Sequence, residues 1–274
     1  IKKKRGYVLI IDIHSHILPD LDDGAKDMMT AIQMLTTAAA KETTIMIGTP
    51  HVIEGNCPPV WQDIVHRCNL LQTAAQKAGL IIALYPGAEV ALQLDILEKI
   101  KGPGDYCING GRYLLVELPS LDIPSYTEEF FFRLQVKGII PILAHPERHP
   151  VLARQPEILV KWVKKGILAQ MNGTSILGRW GERVQKTAEL FLVNRLIQFV
   201  GSDAHNTRTR HPDLQAARCR VIQLVGEDRA EQLFTINTLH VLQNLEVRAG
   251  RIDSLVYPSS SGLWTWLFKK LTGS

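Results

Sequence analysis

Short apolar runs alternate along the chain with longer stretches in which apolar residues recur every three or four positions. The runs fall at 7–13, 44–48, 80–85, 113–118, 139–144, 167–171 and 197–200, and they are rich in Ile, Val and Leu. Strands buried on both faces have this unbroken apolar character, because neither side meets water. The longer stretches, at 28–41, 59–78, 128–137, 157–165, 182–193, 213–225 and 229–245, have helical spacing. A double proline opens the second of them, and Gly138 and Gly166 stand where helix C-caps belong. Strands alternating with helices predict an α/β protein with a parallel sheet. No Gly-x-Gly-x-x-Gly follows the first run, which weakens an open doubly wound sheet. A closed or nearly closed barrel is expected instead, with its site at the C-terminal strand ends.

Those ends are polar throughout. The first run leads into Asp12-Ile13-His14-Ser15-His16, and Asp22-Asp23-Gly24 follow in the next loop. The later ends are Thr49-Pro50-His51, Gly87-Ala88-Glu89, Val116-Glu117, Ala144-His145-Pro146-Glu147-Arg148, Gln170-Met171-Asn172 and Gly201-Ser202-Asp203-Ala204-His205. Five of nine histidines gather there with three carboxylates, and Asp23 adds a fourth carboxylate. Clustered carboxylates repel one another unless cations lie between them. Mixed imidazole and carboxylate ligands suit manganese, iron or zinc. Nine ligands exceed the need of one ion, so two or three are expected. Such centres activate water and clamp phosphate-ester oxygens. Asn172 and Gln170 share a strand face, with Asn172 the candidate to support a ligand by hydrogen bonding.

Composition narrows this only a little. The 274 residues are 46% apolar and 21% charged, with 31 basic and 27 acidic side chains. That excludes disorder and a disulfide mini-scaffold, and it gives no concentrated basic face for nucleic acid. A cysteine-based phosphatase needs Arg six residues after its nucleophile. After Cys57, Cys68, Cys107 and Cys219 those positions hold Asp63, Ala74, Tyr113 and Val225. A cysteinyl phosphoenzyme is therefore excluded, and metal-bound hydroxide is left as nucleophile. No apolar stretch approaches the ~18–20 residues of a membrane span, and no secretory signal is visible, so a cytoplasmic place is expected. Trp61, Trp162 and Trp180 read as packing residues.

The ordered motifs His14-Ser15-His16, Asp22-Asp23-Gly24, Thr49-Pro50-His51, Gly87-Ala88-Glu89, Val116-Glu117-Leu118, His145-Pro146-Glu147-Arg148 and Ser202-Asp203-Ala204-His205 resemble those of the polymerase-and-histidinol-phosphatase (PHP) superfamily. Segments 12–24, 128–149 and 199–205 resemble one branch of it. That branch is the CpsB/CapC/YwqE type, manganese-dependent tyrosine-protein phosphatases found beside bacterial capsular and exopolysaccharide genes. The resemblance implies a distorted seven-stranded (βα) TIM-like barrel with three metals. It implies one ion on His14, His16, Glu89 and Asp203, a second on Glu89, Glu117 and His145, and a third on Asp23, His51 and His205. Asp23 is taken over Asp22 because it directly precedes Gly24. Mn2+ is the implied ion, with iron, zinc or cobalt accepted by the same ligands. Two phosphate-holding arginines are also implied: Arg148, and Arg210 with Arg208 as its competitor.

The expected activity is hydrolysis of phosphotyrosine, with the tyrosine-rich tail of a bacterial tyrosine kinase as partner and nucleic acid excluded as one. A histidinol-phosphate-type phosphatase and a PHP-type nuclease are the alternatives. Residues 1–250 are expected to form the catalytic domain and 251–274 a linker and short amphipathic tail. That tail is a candidate for peripheral membrane contact. The sequence carries no signal for an oligomeric state.

Overall fold

A computed structural model describes residues 9–55, 57–250 and 254–257. The C-terminal tail, 258–274, lies outside the described residues. Nine strands are found among the described residues: β1 (Ile10–Ser15), β2 (Thr43–Gly48), β3 (His51–Val52), β4 (Ala83–Pro86), β5 (Glu89–Ala91), β6 (Tyr113–Glu117), β7 (Ile140–Ala144), β8 (Leu168–Asn172) and β9 (Phe199–Gly201). All pairings are parallel.

The ladders form two sheets, ordered β1-β2-β4 and β3-β5-β6-β7-β8-β9, and not one closed barrel. Two short strands beyond the seven expected, β3 and β5, follow β2 and β4. Between β2 and β3 stands Pro50, which has no N–H to give to a ladder. Its carbonyl accepts from Glu89 N–H across the break (3.0 Å), while Gly87 N–H bonds Gly48 O (2.9 Å). β1 meets the segment just after β9 at an isolated parallel bridge, Ser15 with Ala204. Asp203 N–H donates to His14 O (2.8 Å) and His16 N–H to Ala204 O (2.9 Å) beside it.

Strands of both sheets still share one interior. Ile13, Ile47, Tyr113, Leu115, Ile142, Leu168 and Phe199 pack into a single buried cluster. The opposite strand faces are covered by helices, as the unbroken apolar runs require. The expected helices form at Met28–Ala40, Trp61–Lys77, Thr127–Val136, Pro156–Lys164, Glu182–Val193 and Gln215–Val225. Gly138 and Gly166 follow two of them at φ 80° and 88°. The last expected helix, 229–245, begins at Glu227, runs through a π turn at Gln232–Ile236 and ends at Leu242. Its end comes early because Asn244 turns to φ 57°. No helix among the described residues is long and apolar enough to cross a membrane.

Candidate metal centre

The fold brings the polar strand ends to one place. His14 and His16 are two residues apart on one strand face, so their rings point the same way. Register sets His51 directly beside Glu89 in the β3–β5 pair. His145 and Asp203 follow β7 and β9 with φ of 31° and 53°. Left-handed backbone at non-glycine residues is strained, and such strain concentrates at functional sites.

Glu89 is the hub. Its Oε2 lies 3.3 Å from His14 Nε2, 3.3 Å from His16 Nε2 and 3.1 Å from His51 Nδ1. Its Oε1 is 3.1 Å from His145 Nε2, and Glu117 Oε1 is 3.5 Å from the same nitrogen. Asp203 Oδ1 lies 3.6 Å from His14 Nε2 and 3.4 Å from His16 Nε2. Asp23, exposed in its loop, reaches His205 Nε2 at 3.4 Å and His51 Nε2 at 3.7 Å. All nine expected side chains therefore converge. Three sets have ligand atoms within 4.8 Å of one another: His14-His16-Glu89, His51-Glu89-Glu117 and His16-Asp23-His51-His205. His16 and His51 each belong to two sets, so they link the expected groups.

The hydrogen bonds identify what the cluster is built to hold. Gln170 donates its Nε2 to Met171 O and Asn172 Oδ1, which leaves Oε1 to accept from His14 Nδ1 (2.9 Å). Asp22 Oδ2 accepts from His16 Nδ1 (2.6 Å). In the neutral rings both protons are thus on Nδ1, and the two Nε2 lone pairs face each other at 3.1 Å. Two lone pairs at that distance repel unless a cation sits between them. Buried Glu89 Oε2, His51 Nδ1 and His205 Nε2 also have no hydrogen-bond partner. The donor set fits a divalent cation, and Gln170 and Asp22 orient the imidazoles as outer partners of metal-ligating histidines do.

The electrostatics agree. Burial opposes charge on His16, yet the carboxylates of Asp203, Asp22 and Glu89 hold it well above the ordinary imidazole range, so the same carboxylates that favour a metal cation between the two Nε2 atoms favour a proton there. Burial would likewise raise Glu89, but His14, His145 and His16 hold it well below the usual carboxylate range. Burial and neighbouring Glu89 push Glu117 up. Burial and His16 push His205 down to about 3, leaving its lone pair free at neutral pH. The pocket stabilises positive charge at its centre.

Asp203 is also the anchor of the arginines. Arg148 donates to its Oδ2 (2.9 Å) and Arg210 to its Oδ1 (2.7 Å), while Asn172 Nδ2 donates to Oδ2 (2.7 Å). Arg208 is exposed, and its backbone N–H bonds Asn206 Oδ1. His149 donates instead to the carbonyls of Pro119 and Asp122 and braces the loop.

A sequence comparison decides the family. The description of the capsular polysaccharide synthesis family, CpsB/CapC, matches residues 10–243. The chain belongs to the CpsB/CapC family. CapC of Staphylococcus aureus is 35% identical over 201 residues, covering 73% of this chain and 79% of that protein. YwqE of Bacillus subtilis, named a tyrosine-protein phosphatase, is 33% identical over 208 residues, 76% of this chain and 82% of that one. A crystal structure from work on YwqE of Bacillus subtilis and CpsB of Streptococcus pneumoniae, described as unique metal-dependent tyrosine phosphatases, superposes with a TM-score of 0.84. It is 30% identical and covers 90% of this chain and 100% of that one.

Three contributors to this CpsB/CapC site escape a reading of the sequence. Asp12 is buried in β1, where it accepts from the backbone N–H groups of His14 (3.3 Å) and Ser202 (2.9 Å), and burial raises it to about 6. Asp22 orients His16 and accepts from His51 N–H (2.9 Å). Trp180, expected as packing, lies open at the site with Arg148 4.2 Å over its ring. Trp162 is buried as expected.

Proposed function

We propose that this chain is a metal-dependent protein-tyrosine phosphatase whose substrate is a phosphotyrosine protein of capsular or exopolysaccharide synthesis. The tyrosine-rich tail of a bacterial tyrosine kinase is the favoured partner, met in the cytoplasm. One observation carries the reading: two lone-pair nitrogens, His14 Nε2 and His16 Nε2, face each other beside two carboxylates and two guanidinium groups. The nitrogens and the carboxylates hold cations, and the guanidinium groups bind phosphate.

In this reading His14, His16, Asp23, His51, Glu89, Glu117, His145, Asp203 and His205 hold two to three Mn2+ ions. When bound, such ions supply a Lewis-acidic centre that activates water and neutralises phosphoryl oxygens. The rest is the chain's own work. Arg148 and Arg210 present planar forks that bind phosphoryl oxygens and stabilise the charge that grows in transfer. Asn172 fixes the Asp203 carboxylate against which both arginines lean. Cysteine takes no part: none has Arg six residues on, and burial pushes the Cys68 and Cys107 thiols up to about 12, far from a reactive thiolate. The two sheets act as one distorted barrel, with residues 1–250 as the catalytic domain and 251–274 as a linker and tail that can touch a membrane surface.

The test is a panel on manganese-loaded protein: phosphotyrosine peptide, phosphoserine peptide, histidinol phosphate and single-stranded DNA. Preference for the phosphotyrosine peptide is expected. Turnover of histidinol phosphate or DNA in its place would overturn the assignment.

A further inference from the structure

Trp180 does not fit a packing role. It is 40% exposed, yet its indole is held in place from behind by Nε1–H donation to Thr174 Oγ1 (2.9 Å). The turn that carries it is tied down as well. Arg179 N–H bonds Thr174 O (3.1 Å), and Gly181 N–H bonds Gly178 O (3.0 Å). A rigid, open aromatic face at a site edge calls for an occupant, and it has two. The Arg148 guanidinium lies 4.2 Å and that of Arg210 5.9 Å from the ring centroid. Both are within the range of cation–π attraction.

Each guanidinium is thus gripped twice, by the indole and by an oxygen of Asp203. Two cavities flank the arrangement. One, about 100 Å³, is lined by Glu117, Ser120, His145 and Arg148. The other, about 260 Å³, is lined by Thr174, Trp180, Asp203, Thr209 and Arg210. Trp180 does not line the first cavity and reaches it through Arg148.

We infer that Trp180 is a positioning residue, a platform that sets the two arginines in their phosphate-binding pose before substrate arrives. The inference rests on the reading of Arg148 and Arg210 as phosphate ligands. Its physical basis is the long arginine stem, which otherwise samples many rotamers and loses that freedom on each binding event. Stacking removes most of that freedom in advance. The carboxylate holds one nitrogen of each guanidinium, and the indole adds a second, independent point of attraction.

The experiment compares wild type, W180F, W180L, R148A and W180L/R148A as manganese-loaded full chains. It reads kcat and KM on a phosphotyrosine peptide, the Ki of inorganic phosphate, and metal content. W180L should lower kcat/KM by about 5- to 30-fold and weaken phosphate binding in proportion, with metal content unchanged. W180F keeps an aromatic face and should recover more than half of the loss on a logarithmic scale. In the R148A background W180L should cost less than half of what it costs alone, because most of its effect runs through Arg148. Equal losses in both backgrounds, or Phe no better than Leu, would overturn the proposal. So would a raised peptide KM with an unmoved phosphate Ki, which marks Trp180 as a contact for the peptide itself. R148A with wild-type kinetics and phosphate binding would bring down the phosphate-ligand reading and the platform together. An impaired R148A beside an unaffected W180L would remove the platform alone.

Discussion

Asp203 answers two demands at once, facing His14 and His16 with one oxygen and sharing both oxygens between two arginines. Burial disfavours its charge, but His14, His16 and His145 hold it well below the usual carboxylate range, so it stays an acceptor. Arg148 depends on this anchor. Arg148→Ala should lower kcat on a phosphotyrosine peptide by about 10²–10³, the usual loss for one preorganised donor. Arg148→Lys keeps the charge without the fork and should recover only part of it, with metal content normal in both variants. Asp22 gives a different signature. Asp22→Asn weakens the hold on the His16 ring and should reduce Mn2+ affinity about 10–100-fold in a calorimetric titration. The division of labour between Asp22 and Asp23 turns on one position. Their place before Gly24 is legible in the sequence, but which carboxylate turns inward is decided by the loop's path. Asp12 was hidden for another reason: its work is done through backbone N–H groups, which leave no mark on residue spacing.

At the scale of elements, the strand positions and the polar strand ends are legible, because parallel strands buried on both faces write their burial directly into the chain. The short strands β3 and β5 that follow the second and third runs span two and three residues, too few to write an apolar run of their own. Their effect is to place His51 and Glu89 at fresh strand starts, side by side in register. Helix ends matched to within a few residues where a glycine caps them, and failed at Asn244, whose left-handed turn has no glycine to signal it. The loop after β1 depends on one element of geometry. A Cβ on Gly24 would stand 2.0 Å from His16 O and 2.5 Å from His16 Cβ. Backbone cannot yield as a side-chain tip can, so Gly24→Ala must displace the loop or β1. Thermal unfolding of the metal-loaded protein should show a loss of about 1–3 kcal/mol, and Mn2+ content should fall. Unchanged stability and metal content would show that the loop carries no fixed position.

The whole molecule is tied together by its candidate metal centre, since ligands come from β1 early in the chain and from the segment that follows β9 late in it. Ions that bind the folded chain alone must stabilise it by mass action. Saturating Mn2+ at about 100 times its Kd contributes about 2.7 kcal/mol, so stripping metal with a chelator should lower Tm by about 5–10 °C and abolish activity. A Tm indifferent to chelator would argue against metals bridging these strands. The cysteines give the complementary test. With Cys68 and Cys107 changed to Ala and Cys57 and Cys219 to Ser, kcat should stay within about threefold of wild type, because the buried thiols stay protonated.

The seam between β1 and β9 also has a consequence in time. His14 and His16 leave the ribosome early, whereas Asp203, His205 and Arg210 emerge only when most of the described fold has been synthesised. The seam is made by Ser15 meeting Ala204, a pairing of very distant residues that forms late because its loop-closure entropy is large. Until then the histidine pair lacks Asp203 and the second guanidinium, that of Arg210. A nascent or truncated chain is therefore a silent one, and phosphate-ester cleavage begins only when synthesis has delivered the last strand to the first.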